Sequence, residues 1–265
     1  MHILLDLIMV LIGLIAGTLG SMVGLGGGFI IVPLATLVLT LPSKLIAGTS
    51  TAVIVINSLA SNWVYHKQRR IDWKSGIAFA VVAVPGAFLG ARFSHDMNTH
   101  TFNILFGILL LCVSLLLVFK PREAKRIFFP KTTERRITDA KGGVYSYAFN
   151  LPIGLVAAFF VGFLSSLFGI GGGTVMVPMM VLVLGFPAHI ATATSMFMIL
   201  VSSFVGSVSH AMLGDIVWSY ALLLSIGALV GGQLGAHWSA RVSGVWLLRI
   251  LAALMSLTAV RMIFA

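Results

Sequence analysis

The sequence predicts an all-α polytopic membrane protein built from two inverted-topology repeats of about five membrane segments each. Three observations carry this: long stretches without a formal charge, an internal duplication in one register, and basic loops on only one side of it. Hydrophobic residues make up 59% of the chain and charged residues 9%, where soluble domains carry about 25% charged residues. No Asp, Glu, Lys or Arg stands between Leu7 and Ser43, between Met97 and Phe119, or between Gly142 and Gly214. A crossing helix needs roughly 20 apolar residues, so these stretches hold several crossings. The alternation of a transmembrane barrel strand, in stretches of about 10 residues, is absent. Met1 and His2, with only Asp6 nearby, lack the Lys or Arg that opens a cleaved signal peptide.

The duplication sets the organisation. Residues from Gly17 to Phe119 align without a gap on Gly162 to Phe264. Gly24 falls on Gly169, Pro33 on Pro178, Pro42 on Pro187, Trp73 on Trp218, Gly86 on Gly231 and Gly90 on Gly235. The chain therefore divides into a first membrane repeat (1–119), a basic linker (120–147) and a second repeat (148–265). In the first repeat the segments are Ile3 to Val23, Phe29 to Thr40, Leu45 to Tyr65, Trp73 to Ala91 and Thr101 to Phe119. The second repeat runs through the same series from Leu151 to Phe264. The second segment of each half (29–40 and 174–184) is too short to cross a bilayer alone, so eight to ten transmembrane helices are expected, with short broken helices after glycine-rich runs.

Charge orients the halves. The net charge of +10 comes mostly from two clusters among the 17 Lys and Arg residues, at 67–74 and 120–141. In a membrane protein such clusters mark cytoplasmic loops, so the basic excess signals topology and lipid headgroups rather than nucleic acid. The repeat partner of 67–74 is Met212 to Ser219, which has no Lys or Arg and carries Asp215. An odd number of crossings per half turns the second copy over. Both termini are then expected outside, and the linker inside and poorly ordered.

Gly24-Leu25-Gly26-Gly27-Gly28 and Gly169-Ile170-Gly171-Gly172-Gly173 are the most specific local features. Four glycines in five residues break a helix, at about 1 kcal/mol each relative to alanine. Broken backbone at membrane depth is tolerated where protein buries it or a cavity solvates it. The helix that restarts after the break offers free N–H groups and a positive dipole end to an anion. Two such ends from inverted halves would form an anion cradle. Glycines that merely let helices pack are the other explanation, and it fits Gly86, Gly90, Gly227, Gly231 and Gly235.

The third segments carry the polar content: Thr49, Ser50, Thr51, Asn57, Ser58, Ser61 and Asn62, then Thr192, Thr194, Ser195, Ser202, Ser203 and Ser207. Positions 50, 57 and 61 share a helix face, as do 195, 202 and 206. Their hydroxyls and amides either donate to an oxyanion or bond their own backbone. Pairs matched between the repeats are favoured for substrate: Thr49 with Thr194, Ser50 with Ser195, Ser58 with Ser203.

Ionisable groups are few. Asp6, Asp72, Asp96 and Asp215 fall near predicted span ends, leaving no obvious central carboxylate. His66 and His210, near the ends of the third segments, are candidates for proton or anion contact. Arg249 and Arg261 fit snorkelling to opposite surfaces, with anion contact by Arg249 as the alternative. Cys112 is the only cysteine, which excludes an internal disulfide and a multi-thiolate metal site. No metal or other cofactor is implied.

The runs GLGGGFIIVP (Gly24 to Pro33) and GIGGGTVMVP (Gly169 to Pro178), with PGAFLGAR (Pro85 to Arg92), resemble the sulfite exporter TauE/SafE family of membrane transporters. The resemblance implies movement of sulfur-containing anions, such as sulfite, sulfonates or thiosulfate, across a bacterial inner membrane. Val230 replaces Pro85 in the second copy, which weakens that motif there. The expected function is secondary transport of a small anion by alternating access, with H+ or Na+ as possible coupling ion. A passive anion channel and an intramembrane hydrolase, using Ser21 or Ser50 with His66 or His210, are the alternatives.

Overall fold

The computed structural model describes residues 2–39, 41–118 and 130–239, together with 256, 259 and 260. It is a helical membrane protein. The first half contains α1 (His2–Val23), α2 (Gly28–Val38), α3 (Ser43–Lys67), α4 (Trp73–Asp96) and α5 (Thr99–Val118). A hairpin of β1 (Thr133–Thr138) and β2 (Val144–Phe149) follows. The second half contains α6 (Leu151–Phe168), α7 (Gly173–Pro178), a π-helical turn at Met179–Val183, α8 (Ala188–Met212) and α9 (Trp218–Trp238). Among the described residues, six helices (α1, α3, α4, α6, α8 and α9) are long and apolar enough to cross a membrane. Arg249 and Arg261, on the predicted last segment, lie outside the described residues.

Small residues bring the helices together. The first helix of each half lies against the fourth helix of the other. On the α1–α9 seam a Cβ at Gly231 would stand 2.3 Å from Leu14 O, and one at Gly235 2.1 Å from Thr18 O. On the α4–α6 seam, Gly86 meets Phe159 O at 2.2 Å and Gly90 meets Phe163 O at 2.1 Å. Any larger side chain would wedge these helices apart. Lipid gives no hydrophobic drive between helices, so close backbone approach must supply the packing energy. Leu4, Leu7, Phe160, Leu222 and Ile226 are among the large apolar side chains left on the exterior.

The hairpin corrects one expectation. The hairpin begins within the linker expected to be poorly ordered (120–141): Thr133 to Thr138 pair with Val144 to Phe149 in an antiparallel ladder. The alternation puts Arg136 outward and Ile137 inward, while Tyr147 and Phe149 pack against Phe186 and Phe79. Tyr147 Oη donates to Asp72 Oδ2 at 2.7 Å, and Arg135 Nε lies 3.7 Å from the same oxygen. Burial, reinforced by this bond and by the Asp72 charge, raises the Tyr147 pKa and keeps the phenol protonated.

Candidate functional site

The two glycine runs meet at the centre of the molecule. Gly24, Gly26 and Gly27 have φ of 82°, 84° and 91°, and Gly169, Gly171 and Gly172 have 67°, 83° and 66°. Residues with a Cβ avoid this left-handed backbone. Each long helix therefore stops and a short one restarts, with Gly27 and Gly172 as N-caps of α2 and α7. A Cβ on Gly28 would stand 2.2 Å from Gly169 O, and one on Gly173 2.2 Å from Gly24 O. The runs thus cross backbone to backbone. Gly26 faces Gly171, and Ile54 and Ile199 close the flanks. Ile54 lies near the middle of α3, which places the crossing at half its height.

Hydroxyls of the third helices fasten the crossing reciprocally. Ser50 Oγ donates to Gly169 O at 2.7 Å, and Ser195 Oγ to Gly24 O at 2.8 Å. Thr49 Oγ1 accepts from Val217 N, and Thr194 Oγ1 from Asp72 N, both at 3.0 Å. Each of these bonds in one half has its repeat-related twin in the other. Asn57 adds a bond without such a twin, its Nδ2 donating to Gly26 O at 2.9 Å.

Beside the crossing the halves diverge. In the first, Ser21 Oγ bonds Asn57 Oδ1 (3.1 Å) and Ser61 Oγ (2.7 Å), and Tyr65 Oη donates to Ser21 O. The equivalent positions in the second are Ser166, Ser202, Gly206 and His210. His210 Nε2 donates to Ser166 O at 2.9 Å, while Ser202 bonds only Ile199 O, at 3.3 Å. The hydroxyls of Ser166, Thr174 and Ser203 are buried without a hydrogen-bond partner. An unmet buried hydroxyl costs about 1–3 kcal/mol.

Two charged clusters cap the third helices. Beyond α8, Asp215 is 1% exposed and bonds His95 Nδ1 at 2.9 Å. His210 Nδ1 lies 3.5 Å from the same carboxylate. Burial alone would raise the Asp215 pKa, but the bonds and charge of His210 and His95 outweigh it and lower the pKa. Beyond α3, the buried Arg70 occupies the repeat-equivalent position.

The family model for the sulfite exporter TauE/SafE matches residues 9–262. The chain belongs to this family. It is a multi-pass membrane transporter, similar to the probable membrane transporter protein YunE of Bacillus subtilis at 43% identity over 236 residues, 86% of each chain. A probable membrane transporter protein of Methanocaldococcus jannaschii is 27% identical over 252 residues, 89% of this chain and 87% of the relative. One from Haemophilus influenzae is 25% identical over 258 residues, covering 97% and 94%. No solved structure matches.

Within this TauE/SafE chain the glycines of both runs, Thr49, Ser50, Asn57, Thr194 and Ser195 gather at the crossing or at the ends it ties together. Ser58 instead bonds its own helix at Ile54 O, 2.6 Å away. His66 is exposed and edge-on to Trp73, away from the crossing. Sequence reading missed the Ser21–Ser61–Tyr65 bonds, the pairing of His95 with Asp215, and the burial of Arg70. The repeat alignment carried a usable signal, since it sets Tyr65 on His210 and Arg70 on Asp215.

Proposed function

We propose that the protein carries small sulfur-containing oxyanions, such as sulfite, sulfonates or thiosulfate, across a bacterial inner membrane by alternating access. The site lies at the glycine crossing between two inverted repeats. The observation that carries the reading is the crossing itself: two helix starts from equivalent segments, held at mid-height by Ser50 and Ser195. At the starts of α2 and α7 the N–H groups of Gly28, Phe29 and Thr174 have no backbone acceptor and, with the unpaired hydroxyls of Ser166, Thr174 and Ser203, offer donors without a formal charge. Inversion is supported by the position of Thr49, near the start of α3, beside the turn that follows α8, and of Thr194 beside the turn that follows α3. Antiparallel equivalents lie this way. The basic turn after α3 then faces the cytoplasm, and the Asp215 turn and both termini face outside.

Carrier action is supported over a pore by the backbone contact of Gly28 with Gly169 and Gly173 with Gly24, which occludes the crossing. Ser21 and Ser50 bond to Asn57, Ser61 and Gly169 O rather than to an imidazole, which speaks for transport and against hydrolysis. The coupling ion of this reading is the proton. His210 donates through Nε2 to Ser166, so its Nδ1 needs a second proton to attract Asp215, and His95 competes for the same carboxylate.

Uptake by proteoliposomes tests the reading. Saturable sulfite or sulfonate uptake, counterflow against an internal pool, and stimulation by a pH gradient that is lost in Asp215→Asn are expected. Linear, non-saturable flux would mean a pore, and transport of cations or neutral sugars alone would reject the reading.

A further inference from the structure

At the end of α3 lies a half-open basic cavity, separate from the glycine crossing. Its volume is about 560 Å3, and Trp63, Lys67, Gln68, Arg70, Lys141 and His237 stand on its wall. Small-ligand pockets span roughly 300–1,000 Å3. Three elements meet here: the end of α3, the turn of the hairpin and the end of α9. Ala140 N donates to Gln68 O at 3.0 Å, and Gln68 Nε2 to Ala236 O at 3.2 Å, fixing all three.

Arg70 stands out among these residues. It is 6% exposed, and its Nε and Nη1 are buried without a hydrogen-bond partner. Among the described residues no carboxylate lies within ion-pairing distance of it. A guanidinium stays charged at any physiological pH, and burying it unpaired is costly. The carboxylate on the wall, Asp139, is committed to its own turn, accepting from Gly143 N at 2.8 Å, Lys141 N at 2.9 Å and Tyr145 Oη at 3.3 Å. Lys67 Nζ sits 4.7 Å from the centre of the Trp63 ring, and Lys141 is exposed on the hairpin. Three cations thus share the cavity with one engaged carboxylate.

We propose that this cavity binds a free oxyanion, a sulfonate or sulfite, whose oxygens supply the acceptors that Arg70 lacks. The anion occupies the basic mouth of the carrier on its way to or from the crossing. The ligand class rests on the transport reading; the existence of the site does not. A flat guanidinium can donate two parallel N–H groups to two oxygens of one sulfo group. A lipid phosphate presents the same chemistry, so the test separates the two sources.

Thermal melting of the purified protein in phosphatidylcholine nanodiscs, titrated with methanesulfonate, reads the site, because a ligand of the folded state raises Tm. Arg70→Gln should weaken apparent affinity about 10- to 100-fold, the size of a charge-assisted hydrogen bond. The double variant Lys67→Gln/Lys141→Gln changes only exposed side chains and should weaken it roughly 3- to 10-fold. Unchanged affinity in both variants, with wild-type sulfonate uptake intact, overturns the cavity site and leaves the transport reading standing. An Arg70-dependent methanesulfonate shift without any uptake does the reverse. A rise in Tm with added phosphatidylglycerol alone, lost in Arg70→Gln, assigns the site to lipid phosphate and overturns the free-anion proposal. Should Arg70→Gln fail to fold, the double variant decides: weaker binding supports the site and unchanged binding overturns it.

Discussion

The turn after α3 and the turn after α8 are the same piece of backbone carrying opposite charge. Arg70 N bonds Tyr65 O at 3.3 Å, and Asp215 N bonds His210 O at 2.9 Å. Arg69 and Gly214, equivalent in the alignment, both take positive φ, 53° and 75°. Asp72 N and Val217 N each donate to a threonine at the start of the other third helix. Yet one turn ends in a guanidinium with unpaired N–H groups and the other in a carboxylate held by two histidines. The contrast shows that the duplication kept the backbone contacts that hold the halves together and let the charges at the two ends diverge.

The largest expected effects test the symmetry. Gly90→Val and Gly235→Val each push a β-branched side chain onto a carbonyl 2.1 Å from the Cβ position, and overpacking of this kind costs about 3 kcal/mol. The two should lower Tm by similar amounts, and a large difference would break the equivalence of the α4–α6 and α1–α9 seams.

The next test separates the ends. Asp215→Asn removes the carboxylate charge that His95 and His210 face, leaving a neutral amide oxygen, and should cost about 1.5 kcal/mol, the difference between a hydrogen bond to a charged group and one to a neutral group. Arg70→Gln, measured without added anion, removes an unpaired buried cation and should change stability by less than about 0.5 kcal/mol or raise it. Equal losses would erase the contrast. Because the folded-state pKa of Asp215 lies below its ordinary 3.8, its contribution is complete above pH 3.8 and fades as pH falls through the folded value. The acid limb of the melting profile should therefore be steeper for the wild type than for Asp215→Asn. A limb of equal slope would remove Asp215 from the account.

Ser50→Ala and Ser195→Ala carry the smallest change. Each deletes one neutral bond to the opposite glycine run, about 1 kcal/mol, and each should slow uptake alongside that loss. Full uptake with unchanged Tm in both would separate these hydroxyls from the crossing.

Much of this was legible in the sequence because membrane helices expose their logic in composition. The glycine runs, the duplicated register and the Thr49–Thr194 and Ser50–Ser195 pairs all stand in linear text, and they meet at or around the crossing. His95 and Asp215 were not legible as a pair. They lie on separate helices of different halves, and nothing local in either stretch marks the contact. The hairpin escaped for another reason: its charged residues, Glu134, Arg135 and Arg136, read as a solvated linker, while the inward Ile137, Tyr147 and Phe149 are too sparse to announce a strand. In the sequence Arg70 reads as one more topology charge, since burial cannot be read from a basic cluster.

Inversion requires that the two equivalent turns face opposite sides of one membrane. Lys67 and Met212 occupy equivalent exposed positions at the ends of α3 and α8, Met212 at 82% exposure. In a Cys112→Ser background, an impermeant thiol reagent applied to intact cells should label Met212→Cys. It should spare Lys67→Cys until the cells are lysed. Labelling of both before lysis, or of neither, would contradict the inverted arrangement.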